Sequence, residues 1–119
     1  MKLAISAEGP QPTDPVDPRF GRARYFVLFD TEAETFATVD NATQVAAVQG
    51  AGIQAAQNLT ASGVDVLLTG RCGPKAFQVL VAAGVQIFGG ASGTVAAALQ
   101  AWREDRLAPL TGPNARPHN

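Results

Sequence analysis

The apolar positions of this chain fall into short runs punctuated by glycine and proline, first with the alternation of strands and later with the spacing of helices. Lys2 to Ala7 is predicted as a first strand with Leu3 and Ile5 on one face, and Glu8-Gly9-Pro10 stops it. Pro10, Pro12, Pro15 and Pro18 bar both a helix and an inner strand, so Gly9 to Pro18 must be an irregular loop. The run Tyr25-Phe26-Val27-Leu28-Phe29 marks a second strand, from about Arg24 to Asp30. A short turn, Thr31 to Glu34, leads to a third strand at Thr35 to Asp40, and its brevity favours an antiparallel hairpin.

Beyond this point the period changes. Asn41 to Gln49 reads as a loop, and Gly50-Ala51-Gly52 opens a helix to about Ala61, with Ile53, Ala56 and Leu59 at helical spacing and Gly63 as its stop. Val64 to Thr69 is a fourth strand, nearly all apolar, as expected when both faces are covered. Pro74 suits the first position of a helix to Ala83, which Gly84 ends. Val85 to Phe88 is a fifth strand, Gly89 to Gly93 a second glycine-rich loop, and Thr94 to Asp105 a last helix carrying Val95, Leu99 and Trp102. From Pro109 on, Pro, Gly and Asn predict a frayed end.

The order β-β-β-α-β-α-β-α predicts a single α/β domain over residues 1–107 with a flexible tail over 108–119. Right-handed crossovers and the initial meander fit one five-stranded mixed sheet of order 3-2-1-4-5, with strand two antiparallel and helices on both faces, a ribonuclease-H-like topology. In that arrangement Glu8–Arg24, Asn41–Gly52, Gly70–Lys75 and Gly89–Gly93 gather at one rim. Open α/β sheets place ligands there, and helix N-termini offer unpaired N–H groups.

Charge then sharpens the picture. A net charge of −1 excludes an overall basic nucleic-acid binder, yet between Asn41 and Arg103 the only acid is Asp65. The expected rim holds Arg19, Arg22, Arg24, Arg71 and Lys75, five of the nine basic residues. Cations beside glycines suit a multiply charged anion, although glycines as turn residues and arginines on a solvated face give the same pattern. Neither G-x-x-x-x-G-K-[ST] nor G-x-G-x-x-G is present, which argues against those nucleotide sites. Paired acids on neighbouring strands, needed for a Mg²⁺ nuclease, are missing. One cysteine, Cys72, and one histidine, His118, exclude a disulfide framework and a four-ligand zinc site. Cys72 stands between Arg71 and Gly73 at a helix start: a lowered thiol pKa would make it a soft-metal ligand, and the alternative is a small packed residue. No run reaches a membrane span and no signal-peptide pattern is seen, so the expected location is the cytoplasm.

Asp17-x-Arg19-Phe20-Gly21-Arg22-Ala23-x-Tyr25-Phe26, Asn41, Gly50-Ala51-Gly52, Thr69-Gly70-x-x-Gly73-Pro74-x-Ala76, Ala83-Gly84-Val85-x-Ile87 and Thr94-Val95 together resemble the dinitrogenase iron–molybdenum cofactor biosynthesis family. The likeness spans Met1 to about Leu107 and implies a non-enzymatic carrier of an anionic metal–sulfur cluster. Single-domain members of this kind imply a molybdenum–copper sulfide cluster, held non-covalently. An iron–molybdenum cofactor precursor and a cofactor-free adaptor are the alternatives. His118 lies outside the matched region, so a histidine ligand has no equivalent. The resemblance also implies partnership with MinD/Mrp-type ATPases. Carried onto this chain, the cluster site is Arg19, Phe20, Gly21, Arg22, Ala23 and Arg24, faced by Gly70, Arg71, Cys72, Gly73 and Lys75. Asn41, Gly50, Gly52, Gly89 and Gly90 complete it, with Cys72 as the one metal ligand.

Overall fold

The computed structural model describes residues 1–41 and 51–114. The expected loop beyond Asn41, with Gly50, lies outside the described residues, as does His118. Strands β1 (Lys2–Ala7), β2 (Tyr25–Asp30), β3 (Thr35–Asp40), β4 (Val66–Leu68) and β5 (Gln86–Phe88) form one sheet of order β3-β2-β1-β4-β5. β2 runs antiparallel to both neighbours, with Ala7 opposite Tyr25 and Tyr25 opposite Asp40. β4 is parallel to β1 and to β5, with Leu3 opposite Val66 and Val66 opposite Gln86. The expected sheet order and strand directions are therefore observed.

Alternation along the strands divides the core in two. Ala4, Phe26, Leu28, Leu67 and Ile87 face helices α1 (Ala51–Ala61) and α2 (Pro74–Ala82), where Ala55, Leu59, Ala76 and Leu80 are buried. Leu3, Ile5, Val27, Phe29, Val66 and Leu68 face α3 (Val95–Arg103) through Val95, Ala98 and Leu99. Apolar side chains on both faces of β1 and β4 are what a central strand covered by helices requires. β3 is the edge and is largely exposed, with the Phe36 ring tilted against that of Phe29 at 4.8 Å between centroids.

Both α1 and α2 end on a left-handed glycine, Gly63 at φ 77° and Gly84 at φ 84°. The residue after each donates its N–H back into the last turn, Val64 to the Leu59 carbonyl and Val85 to the Leu80 carbonyl. This is the Schellman arrangement. It uses Val64 and Val85 as buried helix stops, so β4 and β5 start later than their apolar runs predict.

The C-terminal stretch is bonded to the domain. Pro109 bridges Phe88, the Leu110 N–H donates to the Ile87 carbonyl at 2.7 Å, and the Leu110 side chain packs on the α1–α2 core. The sequence assigns residues 108–119 to a flexible tail; as far as Asn114 they carry hydrogen bonds to β5 and to the loop after β4. Among the described residues no helix is long and apolar enough to cross a membrane.

Candidate functional site

The loops after β1 and β4 meet through backbone hydrogen bonds. Arg71 donates its N–H to the Pro18 carbonyl at 2.6 Å and accepts from the Phe20 N–H at 3.1 Å, a parallel bridge that sets Arg19 beside Arg71. Gly70 permits this approach: a Cβ there would stand 2.6 Å from the Pro18 oxygen and 2.7 Å from its Cα. Beneath the bridge the Ser6 hydroxyl contacts the Thr69 hydroxyl at 2.8 Å and the Asp17 carbonyl at 2.7 Å, tying the ends of β1 and β4 to the incoming loop. Asp17 is itself buried, and its Oδ1 accepts from the Arg19 N–H at 2.9 Å.

Phe20, Gly21 and Arg22 form a 3-10 turn that packs against α1, with Phe20 in the α1–α2 core. Phe20 is 1% exposed and its ring lies 5.3 Å from that of Phe26. It is therefore a core anchor that fixes where Arg19 and Arg22 leave the surface. Ala23 is buried too, and its carbonyl accepts from the Asn41 carboxamide at 2.8 Å, while the Asn41 N–H donates to Arg24 at 2.7 Å. Asn41 thus shapes this loop from inside the protein. Gly52 lies in the first turn of α1.

The cations divide into two groups. The Arg24 guanidinium is 3.7 Å from Asp40 and 5.3 Å from the Tyr25 ring centroid, and Arg19 is 3.7 Å from Asp17. The Arg24–Asp40 pair is exposed on both sides and weak, whereas Arg19 reaches a buried carboxylate. Arg22 is half-buried and engaged within the protein. Arg71 and Lys75 are exposed and form no ion pair with a described residue.

The helix starts differ as well. The Val95 and Ala96 N–H groups of α3 donate to the Asp14 and Pro12 carbonyls, each at 2.9 Å, and the Ala97 N–H to the Thr94 hydroxyl at 3.1 Å. That terminus is closed, contrary to the expectation that it offers unpaired donors. The Gly89 and Gly90 N–H groups are likewise spent on the Ala108 and Gly70 carbonyls. At α2, Gly73 caps without a side-chain bond, Pro74 has no N–H, and no described residue accepts from the Lys75 or Ala76 N–H. Of these two starts, that of α2, beside Arg71 and Lys75, is open.

Of the two readings of Cys72, a low-pKa thiolate or a small packed residue, its surroundings match the second. Its side chain is fully buried among Phe20, Ala76 and Leu80, and burial pushes the thiol up to about 12. Its sulfur points at the Gly73 carbonyl, 3.8 Å away. The neighbouring cation and helix start fail to lower its pKa because the sulfur sits in the apolar layer and not at the mouth. Among the described residues no group of three His, Cys, Asp or Glu could hold a metal ion. What the rim offers chemically is positive charge and amide N–H.

One residue of the site carried no sequence signal. Asn114 accepts from the Cys72 N–H at 2.7 Å through Oδ1 and donates to the Gly70 carbonyl at 3.0 Å through Nδ2. It lies in the Pro-, Gly- and Asn-rich stretch whose composition predicts fraying.

The family model described as dinitrogenase iron–molybdenum cofactor matches residues 1–105. The apo form of the orange protein from Desulfovibrio gigas is 45% identical over 96% of each chain, with a TM-score of 0.93. A candidate NifB protein from Thermotoga is 36% identical, over 96% of this chain and 97% of that one, at a TM-score of 0.85. A candidate dinitrogenase from Methanocaldococcus jannaschii, 15% identical over 95% of this chain and 97% of its own, shares the fold at a TM-score of 0.70. No functionally curated protein matches the chain.

Proposed function

The chain belongs to the dinitrogenase iron–molybdenum cofactor family, and from that membership we propose that it binds and carries an anionic metal–sulfur cluster at the α2 rim. The cargo proposed is a molybdenum–copper sulfide cluster. The observation that carries this reading is the backbone bridge holding Arg19 beside Arg71 at the open start of α2. Two guanidinium groups, the Lys75 ammonium and the N–H groups of Lys75 and Ala76 present donors to a sulfur-rich anion without a covalent bond. Guanidinium groups are weakly hydrated, which lowers the cost of exchanging water for soft sulfide. Gly70, Gly73 and the buried Phe20, Ala23 and Asn41 shape the backbone on which these donors stand. In this reading Cys72 is packing beneath the site and not a ligand, and Arg22 and Arg24 border it.

The protein is read as a carrier and not a catalyst: the donors at the mouth are cations and amides, and the buried carboxylate nearby, Asp17, already accepts from the Arg19 N–H. We further read the 3-2-1-4-5 sheet as ribonuclease-H-like and the protein as cytoplasmic, handing its cargo to or from a MinD/Mrp-type ATPase. The likeness to a candidate NifB protein favours one second reading, an iron–molybdenum cofactor precursor as the cargo.

The test mixes apoprotein with Cu(I) and tetrathiomolybdate, then desalts it and measures visible absorbance and bound metal. Retained colour with molybdenum and copper is expected. Arg71→Ala should lower retention about five- to tenfold, since an exposed charge-assisted contact contributes about 1 kcal/mol or slightly more, and raised salt should weaken it in parallel. Colourless, metal-free protein after desalting overturns the proposal, and retention of an iron–molybdenum cofactor precursor in a parallel incubation, where the copper–thiomolybdate mixture is not retained, favours the second reading.

A further inference from the structure

The loop Gly70–Cys72 is held on two sides. On one side Arg71 exchanges both of its backbone bonds with Pro18 and Phe20. On the other, the residues flanking Arg71 are held by a single amino acid, Asn114. Its Oδ1 accepts from the Cys72 N–H, its Nδ2 donates to the Gly70 carbonyl, and its own N–H donates to the Cys72 carbonyl at 3.1 Å. A carboxamide carries one acceptor and a donor in a plane, as a peptide group does. Asn114 therefore does for this loop what a neighbouring strand would do. The chain reaches that place through the Leu110 bond to β5 and runs close over Gly89, where a Cβ would stand 2.7 Å from Leu110 Cδ2 and 3.1 Å from Asn114 Nδ2.

We infer that the C-terminal segment is a strap across the rim, with Asn114 a positioning residue that fixes the Arg71 backbone so that its guanidinium stays beside Arg19 for an anionic cargo. This rests on the reading of the α2 rim as the anion site. The two side-chain bonds of Asn114 differ in consequence. The Gly70 carbonyl keeps a second bond, from the Gly90 N–H at 3.1 Å, if Asn114 is removed. The Cys72 N–H has no other acceptor among the described residues. Loss of Asn114 thus loosens the loop at Cys72, between Arg71 and the open start of α2, while its Gly70 end stays pinned. The whole strap from Leu110 to Asn114 approaches the loop from the β5 side, away from the Arg19 bridge.

The test titrates the full-length apoprotein with tetrathiomolybdate alone, read by visible absorbance, for wild type, Arg71→Ala, Asn114→Ala and the double variant. Amide exchange at Cys72 is followed by NMR. Asn114→Ala should bind about three- to tenfold more weakly, and the double variant no more weakly than Arg71→Ala, because the asparagine acts through the arginine. The Cys72 amide should be protected in wild type and exchange faster in Asn114→Ala, while core amides such as Leu67 stay unchanged. Wild-type binding by Asn114→Ala, with Arg71→Ala weakened, overturns the strap and leaves the anion site standing. Full multiplication of the two losses overturns action through Arg71. Unweakened binding by Arg71→Ala overturns the anion site and the strap together. A freely exchanging Cys72 amide in wild type overturns the strap by itself.

Discussion

Replacing Gly70 by alanine tests whether the bridge between the two arginine loops is as tight as its geometry says. The added methyl would lie 2.6 Å from the Pro18 oxygen and 2.7 Å from its Cα, both backbone atoms that no rotamer change can move away. The same Pro18 oxygen accepts from the Arg71 N–H at 2.6 Å, so relief of the clash stretches or breaks that bond. Overpacking of this kind costs roughly 1–3 kcal/mol, and a lost backbone hydrogen bond adds about 1 kcal/mol. The sum is about 2–4 kcal/mol. Unfolding entropy near 2.1 cal/mol/K per residue, over this chain length, is on the order of 0.25 kcal/mol/K, so Tm should fall by roughly 8–16 °C. Gly112→Ala is the matched control, since no atom lies within 4 Å of its added Cβ and its φ is not left-handed. Thermal melts by circular dichroism read the stability, and tetrathiomolybdate retention reads the site. Gly70→Ala should lose both, and Gly112→Ala neither. A Gly70→Ala protein with wild-type Tm and retention would refute the claim that the two loops are in backbone contact at this point.

Three other outcomes follow from two residues, Cys72 and Thr94. Cys72 has its thiol raised from 9.0 to about 12 by burial, so iodoacetamide should leave it unmodified at pH 8 in the native protein and alkylate it in urea. Because the folded thiol ionises at higher pH than the unfolded one, its contribution to stability is intact below about pH 9 and is lost as pH rises from there toward 12, which alkaline melts can follow. Thr94→Ala removes the hydroxyl that accepts from the Ala97 N–H and should cost about 1 kcal/mol, or roughly 4 °C in Tm, with tetrathiomolybdate retention unchanged because the α3 start is not part of the open rim.

The sequence by itself determined the sheet. The pattern of β1, the apolar runs of β2 and β4, the Pro74 start and the Gly63 and Gly84 stops each act through neighbours a few residues away, so they are written in local order. With right-handed crossovers these elements leave one compact arrangement, and that arrangement brings the loops of Arg19 and Arg71 to one rim. Only the tertiary structure decided which of the gathered groups face outward. Both α2 and α3 follow glycine-containing loops, yet loop carbonyls from Pro12 and Asp14 close the start of α3 while no described residue closes that of α2. Cys72 looks reactive beside Arg71 and becomes a buried thiol, because the bridge to Phe20 turns its side chain toward Ala76 and Leu80. Asn114 stands 42 residues beyond Cys72, in a stretch whose composition promises no order, and still completes the loop. The difference is one of range: propensity and period report on the nearest turn of chain, whereas the pairing of one N–H with one distant carbonyl depends on where the whole backbone has already gone.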